Sequence, residues 1–365
     1  MRPIPIEKVC SLCGRSSPLI AARLGLCLEC IRRRPQQAIE WATLVHKEVR
    51  VQHGQVPQPP ADPNGVLCPL CARACCIQEG GLGYCGLRKV EKGRLRHLAG
   101  SQRQGLLHWY RDGLPTNCVA DFVCKGHAQH GCHNLAVFYG ACTLSCLFCQ
   151  NWAYRYMSPT RDGLLSAYQL AAVANDQTYC ICYFGGDPSA QMPHALVTSR
   201  ILAKRGVSIC FETNGLANPK LMQAAVRLVD QSQGIIKFDL KALDSNLHQV
   251  LTSADNTRVL ENFRDAANTL ANQKQKPRLV AATLLVPGYV DPIEVKGLAD
   301  FIASIDPNIP YSLLAFAPQF MMSDLTCTSR AHALTAKQAA LAAGLKRVHI
   351  GNLHLLSTDY EVDNI

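Results

Sequence analysis

The stretch "GACTLSCLFCQNW", residues 140–152, decides how this sequence reads. It holds Cys142, Cys146 and Cys149 in the spacing C-x3-C-x2-C. A tetrahedral zinc site takes four ligands and a disulfide takes two. Three thiolates on a four-iron cluster bind three irons and leave the fourth open to a further ligand. On that reading the missing fourth cysteine is the binding site. The stretch directly follows the apolar run "NLAVFYG" (134–140), so it falls at the C-terminal end of an expected strand. Phe148, between the last two cysteines, is placed to shield a cluster.

Working outward, the apolar runs continue. "TYCICYFGG" (178–186), "GVSICFETNG" (206–215), "GIIKFDLKA" (234–242), "RLVAATLLVPG" (278–288) and "PYSLLAFAP" (310–318) are short and end in Gly, Pro or polar residues. "RVHIGN" (347–352) offers one more short strand. Helix-like stretches such as "SAYQLAAVAND" and "DPIEVKGLADFIASI" lie between them. Strands alternating with helices imply a parallel sheet with helical crossovers, and nearly all-apolar strands imply a sheet covered on both faces. The expected fold class is α/β: a partial parallel (β/α)6 TIM-like barrel preceded by a cysteine-rich N-terminal zinc-ribbon-like region. In such folds chemistry gathers at the C-terminal strand ends, where the polar motifs fall. The expected segments are a zinc-ribbon-like module over 1–34, a helix and Pro-rich linker over 35–65, a second cysteine-rich module over 66–134, the barrel over 135–352 and a tail over 353–365. Within the second segment, "QQAIEWATLVHKEVRVQ" (36–52) reads as an amphipathic helix with Ile39, Leu44, Val45 and Val49 along one side, and "GQVPQPPADPNG" (54–65) as a linker that lets the front module move.

The chain is long enough, and at 48% hydrophobic against 18% charged residues apolar enough, to bury a large core. "MRPIPIEKVC" lacks a signal-peptide pattern and no apolar run is long enough to span a membrane, so a cytoplasmic, reducing compartment is expected. In that compartment 19 cysteines argue for metal rather than disulfides. The net charge of +10 is uneven: residues 1–134 carry 18 Lys/Arg against 9 Asp/Glu, and the remainder 19 against 18. The basic excess belongs to the cysteine-rich front, where two tetrathiolate zinc sites at −2 each would leave about +5.

Cys10, Cys13, Cys27 and Cys30 have ribbon-like zinc spacing, and a metal would stabilise a segment too small for its own core. Cys68, Cys71, Cys75 and Cys85 supply four further ligands, with Cys76 spare or exchanging with Cys75; zinc and an auxiliary iron–sulfur cluster both fit. "CVADFVCKGHAQHGCHN" offers Cys118, Cys124, Cys132, His127, His130 and His133, as a metal site or as surface histidines and buried thiols. Cys180, Cys182 and Cys210 lie in strand-like runs and read as inert thiols.

The triplet is the motif of the radical S-adenosylmethionine (radical SAM) superfamily, and the resemblance continues along residues 66–352. Phe184-Gly185-Gly186-Asp187-Pro188 resembles the superfamily's Gly-Gly-Glu-Pro stretch, with Asp one methylene shorter than Glu. Glycines allow close backbone approach, and a carboxylate accepts from an ammonium. Glu212-Thr213-Asn214-Gly215 and Asp239-Leu240-Lys241 look like the third- and fourth-strand motifs of the pyruvate formate-lyase activating enzyme group. "LLVPGYVD", "AGLKRVHIGN" and "CPLCARACCIQEGGLGYCGLR" are similar to AmmeMemoRadiSam-associated radical proteins. Where relatives carry a histidine in a Phe-His-Pro setting, this chain has Phe316-Ala317-Pro318.

The resemblance implies a 4Fe-4S cluster on Cys142, Cys146 and Cys149, with S-adenosyl-L-methionine chelated to the open iron. It implies one-electron cleavage to methionine and a 5′-deoxyadenosyl radical, which takes a hydrogen atom from substrate. It implies cofactor contacts from Gly185, Gly186, Asp187, Glu212, Thr213, Asn214, Asp239 and Lys241. It also implies an electron donor such as flavodoxin or ferredoxin and a protein substrate. Two rivals stand beside it: an RNA-modifying enzyme using the same radical, and a zinc-stabilised nucleic-acid-binding protein that uses Arg32-Arg33-Arg34 near the ribbon.

Overall fold

The apolar runs become strands His133–Tyr139, Thr178–Gly185, Ser208–Thr213, Ile236–Asp239, Leu279–Leu285, Tyr311–Ala315 and Val348–Gly351. These lie side by side in chain order, each parallel to the next. Helices Met192–Ala203, Pro219–Gln231, Pro292–Ile305 and Arg330–Ala342 are among the crossovers that parallel pairing requires. The structure is a computed structural model that describes residues 7–116, 118–271 and 277–361. Residues 1–6 of the expected front module and 362–365 of the tail therefore lie outside the described residues. "RVHIGN" forms the seventh parallel strand, one beyond the six of the (β/α)6 expectation. Among the described residues no helix is long and apolar enough to cross a membrane.

Two antiparallel strands extend the sheet to nine, Gly105–Gly113 and Leu164–Leu165. Gly105–Gly113 pairs with the first parallel strand from Leu107↔Tyr139 to Gly113↔His133. It lies inside the segment that the sequence reading assigns to the second cysteine-rich module. After a buried start at 105–107 its residues are mostly exposed, so it carries no apolar run to mark it.

Side-chain alternation divides the sheet. Ile181, Tyr183, Ile209, Phe211, Ile236 and Phe238 are buried in the main core. The opposite face carries Cys182, Cys210, Glu212, Lys237 and Asp239, with Cys182 beside Cys210 and Glu212 beside Lys237 in register. The polar residues of one cross-strand row are thus fixed by a period of two.

The front is not a tethered module. Helix Pro35–Gln52 begins on a proline and buries Ala38, Ala42, Val45 and Val49, a stripe at helical spacing whose small residues permit close packing. Leu44 falls off that stripe and is 58% exposed, contrary to the sequence reading. Residues from Cys10 through Val49 share one apolar core with the sheet and its helices. Tyr289 Oη donates to the Leu26 carbonyl at 3.0 Å and accepts from Ala21 N–H at 2.9 Å. Arg32 grips Asp291 with two bonds of 2.7 and 2.8 Å, and Glu294 lies 3.6 Å away. The Pro-rich segment is tied down as well, since Cys76 N–H donates to Pro60 and Asp62 N–H to Cys76. The expected mobility gives way because these contacts bury apolar and paired polar groups on both sides of the linker. Arg32 is committed to carboxylates, Arg33 pairs with Glu29 and Arg34 donates to the Leu12 carbonyl, so the arginine triplet is not an idle basic patch.

Replacing Arg32 by Ala leaves Asp291 and Glu294 without their cation. The expected loss is about 1–3 kcal/mol, while Arg33→Ala at an exposed pair costs less than about 1 kcal/mol. Paired thermal or urea unfolding curves check this; equal effects would mean that the front is not anchored through Arg32.

Candidate functional site

Four loops meet at the C-terminal ends of the first four parallel strands. The first, residues 140–152, carries the three cysteines. It is pinned by Ser145 N–H to Thr252, Leu147 N–H to Leu251 and Met321 N–H to Leu147 carbonyl bonds. The second loop touches it directly. Gly186 N–H donates to Tyr139 and Asp187 N–H to Ala141. A Cβ on Gly186 would sit 2.0 Å from the Ala141 carbonyl oxygen. The glycine pair therefore serves the contact between two loops, besides leaving room for a ligand.

Asp187 is buried and joins the second loop to the third. One oxygen accepts from Ser189 N–H at 2.6 Å, the other from Asn214 N–H at 2.6 Å. Burial raises its carboxyl to about 6, against the pull of those bonds. Asn214 in turn donates to Thr143 Oγ1 at 2.9 Å and lies 3.7 Å from the Cys142 sulfur. Asp187, Thr213, Asn214 and Cys142, named from separate motifs, thus form one contact network.

The three thiols face a low-dielectric surrounding. Burial pushes Cys142 well up, with the Asp187 carboxylate adding to it. Burial takes Cys146 to about 12, opposed by the Lys241 ammonium. It raises Cys149 too, opposed by Arg155. Thiolate formation there needs a cation at the sulfurs. Phe148 is buried, with Lys241 5.9 Å from its ring centre.

Arg155 was not among the sequence candidates. It is buried, reaches Ser145 Oγ at 3.3 Å and packs over Tyr154 and Phe320. Its only sequence signal was position, six residues beyond the last cysteine.

Glu212, Asp239 and Lys241 are brought together by a residue that sequence reasoning passed over. Lys237 Nζ lies 3.1 Å from Glu212 and 2.7 Å from Asp239, and Lys241 lies 3.0 Å from the other Asp239 oxygen. Burial opposes ionisation of Asp239, but the two ammonium groups outweigh it and hold the carboxyl at about 2. Burial would lower Lys237, yet Asp239 and Glu212 hold it above its ordinary range. The available signal was a lysine inside an apolar strand, two residues before an aspartate and hence on its face.

The cysteine groups of the front differ from one another. In the first, all four sulfurs lie within 4.8 Å of one another, and Cys13 and Cys27 are 3.7 Å apart. A tetrahedral zinc with Zn–S of about 2.3 Å would place its sulfurs about 3.8 Å apart. Burial would raise Cys10, but amides of Cys27, Leu12 and Cys13 hold it at about 6. The Cys118 to His133 group does not gather. His127 pairs with Asp121, His133 bonds Thr178 and Cys118 sits 4.0 Å from Glu212. At the departure from the Phe-His-Pro pattern, Phe316 is fully buried and its N–H donates to Thr328 Oγ1 at 2.7 Å.

With this geometry in view, residues 136–302 match the model of the radical SAM superfamily. An uncharacterized protein of Methanocaldococcus jannaschii is 26% identical over 308 residues, which span 80% of this chain and 83% of that protein. The pyruvate formate-lyase-activating enzyme of Staphylococcus aureus is 29% identical over 194 residues, 49% of this chain and 73% of the relative. The isethionate sulfite-lyase activating enzyme of Oleidesulfovibrio alaskensis is 29% identical over 133 residues, 36% and 40% respectively. A solved domain of a pyruvate-formate lyase-activating enzyme from Bacteroides vulgatus superposes at a TM-score of 0.39, with 23% identity over 47% of this chain and 99% of that one. Residues 136–302 thus carry a radical SAM domain, and the chain is an enzyme with its reaction unspecified.

Removing Lys237 tests the charged row. Lys237→Met leaves Glu212 without its ammonium and Asp239 with Lys241 alone, and should cost about 3 kcal/mol near neutral pH. The stabilisation that Lys237 gives the depressed Asp239 is present above the ordinary value of 3.8 and is lost as pH falls toward about 2. The variant's deficit in urea unfolding should therefore shrink between pH 4 and pH 2; a pH-independent deficit would assign the loss to packing.

Proposed function

We propose that this chain is an activating-enzyme-like radical SAM enzyme, a partial parallel barrel that abstracts a hydrogen atom from a protein substrate. The observation that carries the reading is the meeting of the Cys142, Cys146 and Cys149 loop with Gly185-Gly186-Asp187 and Thr213-Asn214, within the residues matched by the radical SAM model. Its named relatives are activating enzymes of pyruvate formate-lyase and isethionate sulfite-lyase, which supports a protein as substrate.

The residues fit a 4Fe-4S cluster. Three soft thiolates suit iron, Arg155 and Lys241 place positive charge near the sulfurs, and the buried Arg155 Nε has no hydrogen-bond partner among the described residues. Bound together, the cluster and S-adenosyl-L-methionine supply one-electron cleavage of the sulfonium and a carbon radical. The chain's own work is to bind, orient and exclude water. Asp187 uses one lone pair of each oxygen on backbone amides and keeps others for an ammonium. Gly185 and Gly186 keep the adjoining backbone free of side chains. Glu212, Asp239 and Lys241 form the polar wall of the cofactor site, and Phe148 keeps the cluster edge dry.

Cys10, Cys13, Cys27 and Cys30 hold one zinc with no open position, a structural role. The reducing electron comes from a donor such as flavodoxin or ferredoxin, and the setting is cytoplasmic. The basic front offers a docking surface for the substrate, and it is fixed on the barrel rather than mobile.

Two measurements test this. Anaerobically reconstituted protein should yield 5′-deoxyadenosine under reduction, and the Cys142→Ala/Cys146→Ala/Cys149→Ala variant should yield none; continued formation would place the chemistry elsewhere. Asp187→Asn keeps the size of the side chain but removes its charge. S-adenosyl-L-methionine affinity should fall about ten- to a hundredfold, the worth of a charge-assisted hydrogen bond. Iron content should be unchanged. Equal affinity by titration would leave Asp187 with only its loop-joining bonds.

A further inference from the structure

The second cysteine group surrounds a cavity that the reading above leaves unused. Cys68, Cys71, Cys75 and Cys85 all line this one small pocket, together with Arg88 and Thr143. Cys76 does not line it; its sulfur lies 3.8 Å from the Ala74 carbonyl on the exposed side. The structure thus selects Cys75 from the adjacent pair.

The spacing of these sulfurs differs from that of the zinc-like group. Among the described residues, only the Cys10 group brings three or more ligand atoms within 4.8 Å of one another. Sulfurs on a single zinc stand about 3.8 Å apart. Sulfurs that each bind a different iron of a cubane stand wider, because the iron and sulfide core lies between them. Four thiols around one pocket, no three of them within 4.8 Å of one another, depart from the first arrangement in the direction of the second. The same chain shows the first arrangement at Cys13 and Cys27, 3.7 Å apart.

Two further observations concern the occupant's charge. Arg88 is 1% exposed and lines the cavity, and its Nε has no hydrogen-bond partner among the described residues. Tyr84 N–H points at the Cys75 sulfur at 3.5 Å. A buried unpaired guanidinium nitrogen and an amide aimed at sulfur both favour an anionic thiolate centre.

The position is equally specific. Arg73, between Cys71 and Cys75, donates to the Thr143 carbonyl at 2.7 Å and to Ser253, and Cys71 bridges to Ala217 beyond the third strand. Thr143 follows Cys142 in sequence, so the cavity abuts the loop of three cysteines.

We propose that Cys68, Cys71, Cys75 and Cys85 hold a second iron–sulfur cluster, fully ligated by protein and adjacent to the loop triplet. With no open iron, it is a one-electron carrier. A low-potential flavodoxin- or ferredoxin-class donor loses one electron to it. It returns to its oxidised state when that electron passes to the loop cluster. This role rests on the reading of the triplet given above; the site itself does not.

The test uses full-length protein reconstituted anaerobically with ferrous iron and sulfide, with iron, sulfide and zinc measured per chain. The Cys142→Ala/Cys146→Ala/Cys149→Ala variant leaves the cavity intact and should keep about half the wild-type iron, in a form reducible by dithionite to a paramagnetic cluster. Cys71→Ala/Cys75→Ala should lose the other half without gaining or losing zinc. A loop variant free of iron, with a second zinc per chain, would overturn the proposal. A loop variant that keeps all its iron would instead sink the assignment of the triplet while leaving the cavity site standing. In fully reduced wild type the two neighbouring paramagnets should broaden each other's resonance; a spectrum equal to the sum of the two variants would overturn the adjacency.

Discussion

A buried carboxylate with two backbone amides on it holds the catalytic end of this molecule together. Asp187 accepts from Ser189 within its own loop and from Asn214 in the next, and Asn214 reaches Thr143 in the cysteine loop. Without Asp187 the Asn214 amide would be left unpaired in a site closed to water, and that cost is what fixes the three loops relative to one another. The close approach of Gly186 to Ala141 belongs to the same constraint, because only a residue without Cβ lets the two chains lie that near. A cofactor binding there would meet a surface already ordered before it arrives.

Charge below that surface is arranged by the sheet. Parallel pairing sets Glu212 opposite Lys237, and the period of two sets Asp239 on the same face. Lys237 and Asp239 are held in their charged forms by their neighbours, against the opposing effect of burial. Such a row stabilises little in total, since each pair offsets its own desolvation, but it fixes a charged wall in one geometry.

The cysteine-rich front places its two groups of thiols differently. The first group is drawn into mutual contact, and its fold is welded to the sheet through Tyr289, Arg32 and a shared apolar core. The second lines a cavity against the cysteine loop. Both lie against the domain matched by the radical SAM model, so the front is packed onto it and is not a trailing appendage.

The sequence by itself determined the parallel α/β sheet, because seven apolar runs separated by helical periodicity leave few other solutions. It also determined the three-thiol loop and its place at a strand end, because spacing and neighbouring strand are local properties. Tertiary structure alone decided the rest. Lys237 drew no notice in the sequence, and only register placed it between Glu212 and Asp239. The edge strand Gly105–Gly113 was hidden because only its first residues are buried. The linker read as mobile from its prolines, whereas its fate depended on Arg32, Tyr289 and Pro60 finding partners hundreds of residues away or in the next module. Cys75 and Cys76 are neighbours of identical chemistry, and only the direction each side chain takes from the backbone separates the one that lines the cavity from the one that does not. Contacts across long sequence separations and the facing of side chains are set by packing, which no local pattern records.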